Sequence, residues 1–169
     1  MNTIYVRSEV DRWEMKAELL KMLPKAEVDS NRGWVVAFDP DLPDPTIEVK
    51  LLRLSRMFDA VVYWISYQTV VDAFQFHHWQ GGNLLRSLVY GCCRERTWER
   101  VEGVAESWEK EILFSAEVLA SILSFYENPS DRARLERIWR DQLLLPGEDE
   151  PSLNAEEVAG RVIEALDLG

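Results

Sequence analysis

DAVVYWISYQTVVDAFQFHHWQGGNLLRSLVYGCCRERTWERVE, residues 59–102, carries nearly half of the chain's aromatic side chains. Val61 to Tyr67 is dense in β-branched and aromatic residues, which suit a pleated surface better than a crowded helix. A second such run extends from Asp72 to Gln80 and a third from Asn83 to Gly91, with Gly81-Gly82 between them. Two glycines in that place suit a two-residue primed turn, because each accepts positive φ. A fourth run, Thr97 to Glu102, ends at Gly103. The stretch is expected to be an antiparallel four-strand meander over about residues 60–102.

An uninterrupted hairpin register would place Trp79 opposite Leu84, His78 opposite Leu85, His77 opposite Arg86, Phe76 opposite Ser87 and Phe74 opposite Val89. One face would then hold Phe74, Phe76, Leu85 and Val89 as core. The other would hold Gln75, His77, Trp79 and Arg86, with Trp64 beside them if it too lies on that open face. These five are the candidate binding residues.

Upstream, Thr3 to Val6 reads as an edge strand. Val10 to Leu23 follows as a helix with Trp13, Lys16, Ala17, Leu20 and Leu23 at helical spacing, Ser8 and Asp11 as a capping box, and Pro24 beyond its end. Gly33 to Phe38 is a second strand. Asp39-Pro40-Asp41-Leu42-Pro43-Asp44-Pro45 is a rigid acidic connector. Thr46 to Met57 is a helix whose Ile47, Leu51 and Leu54 make an apolar stripe with Phe58. Downstream, a helix opens at Val104, and it either runs on or restarts at Ser115. Another follows from Asp131 to about Leu143, capped by Ser130, with Leu135, Ile138 and Trp139 inward. A last helix is capped by Asn154 with Glu157 and carries Val158, Val162, Ile163 and Leu166. The order is β-α-β-α-β-β-β-β followed by C-terminal helices that pack on the sheet: one α+β domain over residues 1–169, helices largely on one side.

Composition limits the function classes. A chain of 169 residues, 47% hydrophobic with 7 Trp, can build a core without disulfides or metal. The two cysteines are adjacent, a poor arrangement for a disulfide, and no leader-like pattern opens the sequence, so a reducing cytoplasm is expected. Net charge is −11, and residues 115–169 hold 12 acidic against 5 basic side chains. Such a balance disfavours nucleic acid and anionic membranes, whose phosphates need clustered Lys and Arg. It permits a basic protein partner.

No catalytic motif stands out. His77 and His78, as strand neighbours, point to opposite faces and so do not share a metal ion. Cys92 and Cys93 have Arg94 and Arg96 close in sequence, which could favour a thiolate, but a structural thiol is the simpler account. Glu99, Glu102, Glu106 and Glu109 read as a solvated acidic rim near a helix N-terminus. Asp39, Asp41 and Asp44 lack the glycine and closing glutamate of a calcium loop. No metal site and no cofactor is expected, and a homo-oligomer is compatible with the sequence.

An acidic, Trp-rich domain without a motif fits a non-catalytic cytoplasmic binding or regulatory protein, one that neutralises a basic protein partner in the manner of an immunity protein. The alternative is a small enzyme or ligand-binding protein with a pocket at the end of the meander, lined by His77, Arg86 or Cys92. A deep cavity would favour the second, a flat acidic surface the first.

Overall fold

The computed structural model describes residues 1–39, 45–147 and 153–169. Seven antiparallel strands form a single sheet: β1 Asn2–Arg7, β2 Glu27–Asn31, β3 Trp34–Phe38, β4 Val61–Gln68, β5 Ala73–Gln80, β6 Asn83–Tyr90 and β7 Trp98–Gly103. Their order is β2-β3-β1-β4-β5-β6-β7, so the expected meander is the contiguous half of the sheet from β4 to β7. The helices are α1 Arg12–Met22, α2 Ile47–Met57, α3 Ser107–Ile112, α4 Ala116–Leu123, α5 Pro129–Asp141 and α6 Ala155–Ala165.

Helices cover both faces of the sheet, which corrects the one-sided arrangement. On one face Met15, Leu19 and Leu23 of the α1 segment, with Ile47, Leu51, Leu54 and Phe58 of the α2 segment, close over Ile4, Val35, Val62 and Trp64. On the other, α3 to α6 close over Tyr63, Ile65, Phe74, Phe76, Leu88 and Tyr90. Strand alternation feeds both cores, since every second side chain goes to each face. The second aromatic face, which the sequence left either covered by the C-terminal helices or presented to a partner, is sealed by α1 and α2: Trp64 and Trp79 are each 2% exposed.

Five local departures are seen. β2, EVDSN, lacks an apolar pattern because it is the outer strand, mostly exposed, and pairs only with β3. The turn from β2 to β3 uses positive φ at Arg32 and Gly33. β1, expected at an edge, lies between β3 and β4, and three of its six side chains, Ile4, Tyr5 and Val6, are apolar or aromatic. In α1 the sequence offers two stripes, and the packed one is Met15–Leu19–Leu23. Trp13 stays 77% exposed. Ser8 does not close a capping box: Asp11 accepts from Trp13 N, while Ser8 Oγ donates to the Phe58 carbonyl. Asn128, not Ser130, caps α5, with Pro129 in its first turn.

The Gly81-Gly82 turn is as expected, with φ of 55° and 83°. Gln80 faces Asn83 and Trp79 faces Leu84. Beyond that pair a β-bulge intervenes. His78 faces Arg86, His77 faces Ser87 and Phe76 faces Leu88, so Leu85 is the extra residue of β6. The uninterrupted register is thus one residue out from Arg86 onward, and each of those side chains exchanges faces. Leu85, expected in the core, is 37% exposed. Its carbonyl accepts from Val104 N instead. Gly103 makes that approach possible, because a Cβ there would lie 1.9 Å from the Leu85 oxygen.

Candidate functional site

The bulge divides the five predicted site residues between two cores. Trp64, His77 and Trp79 share the α1/α2 face, and Arg86 goes to the face of α3. His77 is sandwiched: its ring lies 4.8 Å from Trp64 and 5.4 Å from Trp79, nearly parallel to both. Ser87 Oγ lies 3.0 Å from His77 Nδ1, and Gln75 Oε1 lies 3.5 Å from Nε2. Burial, then the nearby Arg100 guanidinium, holds the His77 pKa down at about 3. A neutral imidazole fits these partners, accepting from Ser87 O–H and donating to Gln75. His77 is thus a core group with both nitrogens engaged. Only Gln75 of this set is half-buried at the margin.

Arg86 is 4% exposed, and four of its five N–H donors are used. Nε and Nη2 donate to the two Glu109 carboxylate oxygens at 2.8 and 2.6 Å, and Nη1 donates to the carbonyls of Glu102 and Gly103. Glu109 also accepts from Glu106 N, closing a capping box at the start of α3. Glu106 in turn meets His78 Nδ1 at 2.6 Å. Two of the four carboxylates expected as a solvated rim, Glu106 and Glu109, are therefore partners of two buried β-strand side chains, and they fasten α3 to the bulge. Tyr63 packs on His78 at 4.5 Å, and burial together with the Glu106 charge pushes its hydroxyl up to about 12. The missed signal was Glu106-x-x-Glu109, a capping pair with glutamate in place of serine.

The cysteine pair is surface-lying and unbridged. Local desolvation, then the Glu99 carboxylate, pushes the Cys92 thiol up to about 11. The arginines that could have favoured a thiolate do not dominate its surroundings; Glu99 does, accepting from Cys93 N and Arg94 N. Among the described residues no three His, Cys, Asp or Glu side chains converge to hold a metal ion. None of the described helices is long and apolar enough to cross a membrane. Asp41, Asp44 and the acidic run Glu148-Asp149-Glu150 lie outside the described residues.

One cavity of about 250 Å³ lies between the β6–β7 end of the sheet and the layer of α3 to α6. Tyr90 and Trp98, 5.0 Å apart, form its floor, and Phe114 and Trp139 stand against it. α4 presents Glu117, Val118, Ser121 and Ile122 to it, one helical face, and no residue of α4 is buried. The face that would ordinarily complete a core here roofs a void. At the exposed mouth stand Glu117, Asn154 and Glu157, with Arg161 half-buried beside them. His77, Arg86 and Cys92 do not line it, so it is not the pocket expected from the sequence. Comparison with protein families, with curated protein sequences and with solved structures finds no match.

Proposed function

We propose that this protein is a non-catalytic binding protein whose site is the aromatic cavity beneath α4. The observation that carries this is the cavity itself: about 250 Å³, floored by buried aromatic rings and polar only at its mouth. That is the character of small-ligand sites, which are apolar inside with a few orienting polar groups. An enzyme is less well supported, because the histidine, arginine and cysteine that the sequence offered for acid–base or nucleophilic chemistry are engaged elsewhere. His77 is stacked in the core, Arg86 is bound to Glu109, and the Cys92 thiol is held protonated.

The test uses a neutral fluorescent probe, N-phenyl-1-naphthylamine. Saturable binding with a 1:1 end point is expected, together with quenching of tryptophan emission, since Trp98 and Trp139 line the cavity. Ser121→Trp, which projects bulk into the void, should abolish binding while leaving the melting temperature within a few degrees. Probe binding that survives this substitution would remove the cavity as the site.

A basic protein partner remains a second reading, and the net charge of −11 favours it. In that case the acidic C-terminal part of the chain would steer association in the cytoplasm, as in an immunity protein.

A further inference from the structure

We infer that the ligand of this cavity is a small amphipathic cation, an apolar body with an ammonium group at the mouth; this rests on the cavity being the binding site. The walls select the body. Tyr90, Trp98, Phe114 and Trp139 present ring surface, and the faces of such rings attract cations as well as alkyl groups. Their orientation is fixed: Phe114 packs edge-on to Trp139 at 5.7 Å, and Trp139 Nε1 donates to the Ser115 carbonyl at 2.9 Å.

The mouth selects the charge. Glu117 has no ion pair and no hydrogen bond with the described residues. Glu157 accepts only a neutral hydrogen bond from Asn154 Nδ2, at 3.3 Å. The one cation present, Arg161, donates to the Glu111 carbonyl at 3.3 Å, and both carboxylates lack a counter-charge. Two carboxylates against one guanidinium leave the entrance negative. An ammonium placed there would be drawn by both carboxylates and would keep one side in water, which limits its desolvation cost.

The experiment is displacement of the same naphthylamine probe by three ligands with an eight-carbon chain: octyltrimethylammonium, 1-octanol and octyl sulfate. They share the apolar chain and differ in charge at its end. The ammonium is expected to bind about tenfold more tightly than the alcohol, through its attraction to the two carboxylates at a half-hydrated mouth, and the sulfate more weakly than both. In Glu117→Gln/Glu157→Gln the preference for ammonium over alcohol should fall to within about threefold, while affinity for the alcohol is kept. Equal displacement by ammonium and alcohol would overturn the charge assignment and leave the cavity as the site. Preference for the sulfate would overturn it in favour of Arg161. If a lysine-rich peptide displaces the probe at lower concentration than the ammonium, the cation belongs to a protein and the small-molecule assignment falls. Absence of probe binding altogether would overturn both this and the function proposed above.

Discussion

Arg86 and Glu109 meet as a two-pronged pair, 2.8 and 2.6 Å, with both side chains about 5% exposed or less. They meet only because Leu85 is bulged out of β6, which turns Arg86 from the α2 face to the α3 face. Desolvating two charges is costly, and close geometry offsets that only while both partners remain. Arg86→Met and Glu109→Gln are therefore each expected to cost about 3–5 kcal/mol, because each leaves the other group buried without its partner. The double variant should cost well under the sum of the two. Urea unfolding of the four proteins measures this, and additive losses would mean that the pair is not coupled.

The bulge makes a second demand, on Gly103. A Cβ there would meet the Leu85 carbonyl oxygen at 1.9 Å, whereas a Cβ at Gly33 would meet nothing within 4 Å. Both have positive φ, 83° and 89°. Gly33→Ala should thus show only backbone strain, on the order of 1 kcal/mol. Gly103→Ala should lose appreciably more, and Gly81→Val/Gly82→Val about 1–3 kcal/mol from the strained turn. Matching urea midpoints for Gly33→Ala and Gly103→Ala would argue against the bulge as drawn.

What the sequence made legible follows from periodicity and what it hid follows from exceptions to it. The strands of the meander, the Gly-Gly turn, and the apolar stripes of α2 and α6 were all readable, because each repeats its pattern over several residues. The bulge was not. One extra residue at Leu85 leaves composition unchanged yet exchanges the face of every later side chain, and so the five-residue site came apart. β2 was hidden because an outer strand with solvent on it has no apolar alternation to show. The cavity was hidden because its walls come from β6, β7 and four helices far apart in sequence, each looking like ordinary core filling.

His77 gives the fold a built-in acid sensitivity. Its pKa is about 3 in the folded protein and near 6.5 in an unfolded chain. Below about pH 6.5 the unfolded chain takes up a proton that the folded protein refuses, so stability is lost as pH falls from 6.5 toward 3. The slope attributable to this one group is about 1.4 kcal/mol per pH unit. His77→Phe keeps an aromatic ring between Trp64 and Trp79 but cannot titrate. Urea midpoints at pH 7, 5.5 and 4.5 should fall more steeply for the natural protein than for the variant. Parallel curves would place the titration elsewhere.

If a basic protein is the partner, Glu148→Ser/Asp149→Ser/Glu150→Ser should slow association several-fold with little change in fold stability. The expected mechanism is long-range attraction, screened over about 8 Å at physiological ionic strength. Association rates measured against salt with that partner decide it. Equal rates and equal salt slopes would reduce these charges to a role in solubility.

Cys92 offers the sharpest check on the non-catalytic reading, because a nucleophilic cysteine must form thiolate near neutral pH. Its pKa is pushed from 9.0 to about 11, first by desolvation and then by the Glu99 carboxylate. At pH 8 that leaves about 100-fold less thiolate than an unperturbed cysteine would have, one factor of ten for each unit. In Cys93→Ser, alkylation of Cys92 by iodoacetamide at pH 8 should be slower than that of a model peptide by roughly this factor, and should climb until about pH 11. Since the fold favours the neutral thiol, its contribution to stability is present below about pH 9 and is lost as pH rises toward 11. Glu99→Gln removes the second cause and should bring the midpoint of the alkylation profile down. A profile already saturating near pH 7 would instead restore Cys92 as a nucleophile and reopen the case for an enzyme.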